Sequence, residues 1–200
     1  MKTDTRAHLV LAVWLLMMVF PVEAAAHIAG GQAAGFWTGL EHPWSGLDHI
    51  LAMVAVGLWG AQLGVPALWV LPVVFPMLMS VGAMLGLLGI PVPGVEVGIA
   101  VSAVALGIMV LAEVRPGMVV AMIVVGFFAI FHGHAHGTEL PAGQSGLLYS
   151  MGFILGTGCL HGVGILIGLI HYYPLGKTLL RLTGGCIAAM GLFFLYHAVT

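Results

Sequence analysis

Residues 117–139 read GMVVAMIVVGFFAIFHGHAHGTE. The first fourteen are apolar or glycine, and the last nine hold three histidines and a glutamate. A long uncharged apolar run suits a helix crossing a bilayer, because lipid offers the backbone no hydrogen-bond partner. The rest of the chain follows this pattern. Of its 200 residues, 61% are hydrophobic and 6% charged, against roughly 25% charged in soluble domains. So few charges cannot cover a water-facing surface. The expected fold is therefore all-α, a polytopic membrane helix bundle embedded in the lipid bilayer. A net charge of −2 supplies no basic patch, which argues against nucleic acid as a partner.

The N-terminus has a different character. MKTDTRAH carries Lys2 and Arg6, LVLAVWLLMMVF is a short apolar core, and PVEAAA ends in small residues. This is the layout of an export signal, and its core is short for a span. The reading divides the chain into a signal peptide at 1–26 and a membrane domain at 27–200, with cleavage after Ala26. The alternative is an uncleaved signal anchor.

A bilayer-crossing helix needs about 20 apolar residues. Six spans are expected near 44–63, 67–88, 96–113, 117–134, 146–170 and 178–198. Pro66, Pro91, Pro93, Pro116, Pro141 and Pro174 fall between them, where proline belongs. Pro72 and Pro76 fall inside the second span and are expected to kink it. The mature chain keeps only Arg115, Lys177 and Arg181 as basic residues. With the mature N-terminus outside, all three face the cytoplasm, as the positive-inside bias requires. Both mature termini are then periplasmic and the membrane is the bacterial inner membrane. Glycines in GAMLGLLG, GIAVSAVALG and GFILGTGCLHGVGILIG are read as close-packing positions. Cys159 and Cys186 are read as small packing residues, not a disulfide, and Met77, Met79 and Met84 as gap-fillers.

Ionisable groups inside spans are costly and so mark candidate functional sites. One cluster is EHPWSGLDH at 41–49. Pro43 suits a first helical turn with His42 as cap, and His42 and His49 then share a face, with Asp48 beside them. The second cluster is FHGHAHGTE at 131–139. His132 and His136 share a face if the helix continues, although Gly133 and Gly137 leave an unwound segment open. Glu139 follows. The topology puts both clusters at the same outer membrane level. Imidazole plus carboxylate without thiolate suits nickel, zinc, copper(II) or cobalt, and ligand type alone does not choose among them. His27, as a mature N-terminus, would add an amine and an imidazole. His161, deep in CLHGVG, would suit an ion pathway. His171 and His197 are read as packing or hydrogen-bonding residues, and Glu96 and Glu113 as interfacial.

These pieces together resemble the HupE/UreJ family of nickel transporters, accessory membrane proteins of hydrogenase and urease systems. The resemblance rests on the signal peptide, on HPWSGLDHILAMVAVGLWGAQLG at 42–64 and on FHGHAHGTE at 131–139. His42, Asp48 and His49 fit the first motif. Phe131, His132, Gly133, Ala135, His136, Gly137 and Glu139 fit the second, and His134 occupies a variable position within it. The resemblance implies a non-enzymatic permease taking up Ni²⁺, with Co²⁺, Cu²⁺ or Zn²⁺ as alternatives, in service of a hydrogenase or urease maturation system. The candidate ligands are His42, Asp48, His49, His132, His136 and Glu139, joined by His27, His134 and His161.

Two other classes compete. GQSG at 143–146 matches the Gly-x-Ser-Gly of rhomboid-type intramembrane proteases, with Ser145 and His197 as the reactive pair. That reading leaves both histidine clusters unexplained. A metal sensor or store would carry the same clusters without flux. No nucleotide-binding phosphate loop and no His-Glu-x-x-His occurs.

Overall fold

The computed structural model describes residues 32–140 and 145–200. The expected export signal, His27 and Pro141 lie outside the described residues. Those residues form seven α-helices: α1 (Gln32–Glu41), α2 (Leu47–Leu63), α3 (Ala67–Leu87), α4 (Val95–Leu111), α5 (Met118–Thr138), α6 (Gly146–Gly168) and α7 (Pro174–Val199). Short 3₁₀ turns at His42–Trp44 and Leu169–Tyr172 complete them. Helices α2 to α7 fall at the six segments expected as spans, although not all of them are long enough to cross a membrane. By length and apolarity α3, α5, α6 and α7 are long enough to cross a membrane. The stretch Gly35–Trp44 and α2 are together apolar enough for a broken span or a re-entrant loop, bent by 79°, and α4 is a shorter apolar helix.

Two expectations need correction at the start of the bundle. Helix α1 was not foreseen, because QAAGFWTGLE has neither strong apolar periodicity nor a cap signal. His42 is also not a cap. It opens the 3₁₀ turn, whose N-cap is Glu41, and α2 begins only at Leu47 after extended Gly46. The reason is that α1 already runs in helical form up to Glu41, so Pro43 continues a turn and does not start a long helix. His42 and His49 are brought together by the bend between the two segments, not by helical periodicity.

Helix α2 is the hub. From Ala52 to Gln62 it is buried except at Val54, which is half-buried, and it packs on α3, α4, α6 and α7. In lipid, apolar side chains gain little by leaving their surroundings, so close van der Waals packing must hold helices together. Glycine supplies it here. On the α3–α5 seam a Cβ on Gly133 would strike the Met79 carbonyl, and one on Gly137 that of Ala83. From the other side, Gly82 and Gly86 lie against the carbonyls of Ile130 and His134. The same device joins α2 to α6 through Gly57 and Gly164, and α4 to α7 through Gly107, Gly184 and Gly191. Gly158 and Gly162 depart from the packing reading: no atom lies near where their Cβ would sit.

The end of the bundle opposite the start of α2 is tied by hydrogen bonds. Trp59 Nε1 donates to the Val114 carbonyl (2.8 Å) and Gln62 Nε2 to that of Val110 (3.1 Å). Arg181 Nε donates to the Leu111 carbonyl (3.1 Å), so this basic residue belongs to that same end. Gly64, at φ 79°, closes α2 there in a conformation that glycine adopts without strain. Helix α3 runs through Pro72 and Pro76 as one helix. Met79 is buried in the core, but Met77 and Met84 face outward and fill no gap. Cys159 and Cys186 are unpaired and exposed, so they are not core packing residues.

Candidate metal centre

Helix α5 does not unwind at its histidines. It continues to Thr138, because Gly133 and Gly137 are needed for the close approach to α3 and remain helical. His132 and His136 therefore share a face, one turn apart. The bend before α2 and the start of α6 deliver the remaining groups to that face.

The outer layer consists of His42, His136 and Glu139, whose ligand atoms all lie within 4.8 Å of one another. His42 Nε2 donates to Glu139 Oε2 at 3.1 Å, and His136 Nδ1 lies 3.7 Å from the same oxygen. The adjacent His136 imidazole holds the Glu139 carboxyl below the usual range; partial burial opposes this and His42 adds to the lowering. The carboxylate is thus ionised and available to a cation. The rings of Tyr149 (5.8 Å from His42) and Phe153 (4.2 Å from His136) wall this layer from α6.

One turn deeper lie His49 and His132, with ring centroids 4.8 Å apart. His49 also sits 4.5 Å from His136, so four imidazoles form a continuous stack from His42 to His132. Their tautomers can be deduced. Asp48 Oδ1 accepts from both the backbone N–H and Nδ1 of His49, each at 2.9 Å. A carboxylate only accepts, so the proton sits on Nδ1 and the lone pair of neutral His49 on Nε2. Ser102 Oγ donates to the Ile99 carbonyl (2.6 Å), so it must accept from His132 Nε2 (2.9 Å). The lone pair of His132 is then on Nδ1. Both bare atoms, His49 Nε2 and His132 Nδ1, are buried without a hydrogen-bond partner among the described residues. Orienting a ligand histidine through its second nitrogen is the usual construction of a metal site.

A cavity of about 470 Å³ reaches His49 and Glu139 and is lined in part also by Asp48, Glu96, His134 and His197. His134 stands apart from the three-residue group: its Nε2 donates to the Ile90 carbonyl (2.9 Å), tying α5 to the α3–α4 loop. His161 lies deeper on α6 and is fully buried. His171 Nδ1 hydrogen-bonds the Gly168 carbonyl at 2.9 Å, in line with a structural role. Ser145 accepts from the Leu148 N–H (3.4 Å) as the cap of α6, while His197 packs on Phe193 and Tyr196. These contacts lend nothing to a serine-protease pair.

Sequence reading missed Ser102 and Tyr149, and treated Glu96 and His197 as peripheral. Ser102 carried a signal, as a hydroxyl in the middle of an apolar span; its partner could not be read. If Ser102 orients His132, then Ser102→Ala lowers metal affinity by about 10- to 100-fold, as for other groups that orient metal ligands. Equilibrium dialysis of Ni²⁺ against the purified protein measures this, and an unchanged affinity would count against the tautomer argument.

The family described as HupE / UreJ protein matches residues 15–194. Protein HupE of Rhizobium leguminosarum bv. viciae is 44% identical over 177 residues, spanning 88% of this chain and 92% of the relative. No solved structure matches the chain. The family model covers most of the chain and the relative is 44% identical over nine-tenths of its own length: the chain belongs to the HupE/UreJ family.

Proposed function

We propose that the protein is a permease that takes up a divalent metal ion, Ni²⁺ first, across the bacterial inner membrane. His42, Asp48, His49, His132, His136 and Glu139 capture the ion on the periplasmic side. The observation that carries this reading is the convergence of His42, His136 and Glu139 ligand atoms within 4.8 Å, backed by two further imidazoles whose bare nitrogens have no other partner among the described residues. The resemblance to the HupE/UreJ family of nickel transporters favours nickel; Co²⁺, Cu²⁺ and Zn²⁺ suit the same donors. A dication that binds His42 through Nε2 requires the proton there to move to Nδ1, so the ring changes tautomer on capture.

The proposed topology has six spans, α2 to α7, with both mature termini in the periplasm. Arg181 lies at the end of the bundle opposite the histidines, so the positive-inside bias turns the histidine end outward. Residues 1–26 act as a cleaved export signal, and His27 then adds a capture group near the mouth, with His134 beside the cavity. A dication moving inward gains about 4.6 kcal/mol per 100 mV of membrane potential, twice the single-charge value, so uptake needs no nucleotide hydrolysis. The cargo would supply a hydrogenase or urease maturation system.

The test is entry of radioactive Ni²⁺ into proteoliposomes holding the purified full chain, with an inside-negative potential imposed. Uptake saturating with external Ni²⁺ is the expected result. Binding without entry would instead support a sensor or store. Intact mass of the same preparation reads the export signal, and a mass retaining residues 1–26 rejects cleavage.

A further inference from the structure

Below the histidine stack the bundle holds polar groups that the capture site does not use. Thr157 and His161 lie one turn apart on the same face of α6, at 0% and 1% exposure. Thr157 Oγ1 and both ring nitrogens of His161 make no hydrogen bond of ordinary length among the described residues. An unpaired hydroxyl and imidazole at membrane depth are costly, and apolar residues of similar size would pack there without that penalty. Their depth follows from the helices. His161 is two turns beyond Phe153, which touches His136, and its carbonyl lies against Gly57, eight residues inward of His49 on α2. The first route puts His161 ~12 Å deeper than the outer layer and the second ~12 Å deeper than His49, so it lies below both layers. Phe75, fully buried, separates the levels: its ring is 5.6 Å from that of His132 and 5.2 Å from that of His161. On α3, Pro76 has no N–H to give the Pro72 carbonyl, and the Pro72 backbone, left free, is within weak hydrogen-bonding reach of His161.

We propose that Thr157 and His161, beneath Phe75, form a second cation site, a transit station of neutral donors that a divalent ion occupies between capture and release. The inference rests on the permease reading and deepens it. The donors are one imidazole nitrogen and the Thr157 hydroxyl oxygen, with the Pro72 carbonyl close enough to contribute charge. Unlike the capture site, with Asp48 and Glu139, this site brings no carboxylate donor to the ion. It therefore holds a dication weakly, which passage requires: an ion must be able to leave each station it enters. The Phe75 ring must turn aside for the ion to pass between levels.

Thr157→Val and His161→Ala in the full chain test this, each in proteoliposomes and in solution with Ni²⁺ alone as probe. The expected result is maximal uptake lowered by about 10- to 100-fold, the scale of losing a group around a bound metal, with equilibrium binding at the outer site unchanged. Thr157→Val is the stricter test, because removing an unpaired buried hydroxyl at constant shape leaves a purely structural residue neutral. Normal uptake in Thr157→Val overturns the station while leaving the permease intact. Outer-site binding lost together with uptake also overturns it, since the residues then act on the fold. If the wild-type chain binds Ni²⁺ but carries none inward, the permease reading and the station fall together.

Discussion

With alanine in place of His136, the protein is expected to stay folded in the membrane and to lose metal uptake. His136 is the junction of the site. Its ring lies 4.7 Å from that of His42 and 4.5 Å from that of His49, and its Nδ1 is 3.7 Å from Glu139. It therefore belongs to both layers of the stack. Both of its ring nitrogens are buried without a hydrogen-bond partner among the described residues, so the fold loses no hydrogen bond with the ring. Losing only an outer partner of a metal ligand costs about 10- to 100-fold, so losing a ligand shared by both layers should exceed about 100-fold in uptake at low Ni²⁺. His49→Ala should behave alike, because the Nε2 lone pair that Asp48 exposes disappears with the ring. Initial rates of radioactive Ni²⁺ entry, measured beside the amount of folded protein, check both. Near-normal transport by both variants would mean that the site is misassigned.

The second large effect concerns the scaffold. Gly133→Ala and Gly137→Ala add one methyl group each, yet both place it against an α3 carbonyl. The helices must separate, and the resulting loss of packing should cost about 1–3 kcal/mol each, the range for forcing a methylene into a filled interior. His132 and His136 lie on the same turns, so metal affinity should fall with stability. Gly158→Ala on α6 is the internal control, since its added methyl meets nothing. Thermal unfolding in detergent measures the difference. Equal melting temperatures for all three would show that the α3–α5 seam is not held by glycine contact.

The motif at 131–139 was legible because a helix repeats every 3.6 residues, which aligns His132 with His136 once the helix is known to continue. Its continuation was not legible. Gly133 and Gly137 weaken a helix in isolation, and only the carbonyls of Met79 and Ala83 across the seam explain why they belong in one. The approach of His42 to His49 was expected for the wrong reason. Seven-residue spacing on a single helix predicted it, whereas a bend of 79° after α1 delivers it. The Ser102–His132 bond links residues 30 positions apart on different helices, a contact to which no local pattern points.

Composition alone settled the solvent of this chain: too few charges exist to face water, so its helices must satisfy their backbones internally and associate in lipid. The order of apolar runs and prolines located α2 to α7 but not α1, and the two motifs named the histidines and carboxylates proposed to meet a cation. Tertiary structure decided the rest. It stacked four imidazoles from two distant segments, assigned the bare nitrogen of His49 and of His132 through Asp48 and Ser102, and buried Thr157 and His161 behind Phe75. The physical reason is one of range. Hydropathy and helical period act over a few turns of one helix, whereas a coordination site depends on distances of a few ångströms between helices, set by which small residues let them approach.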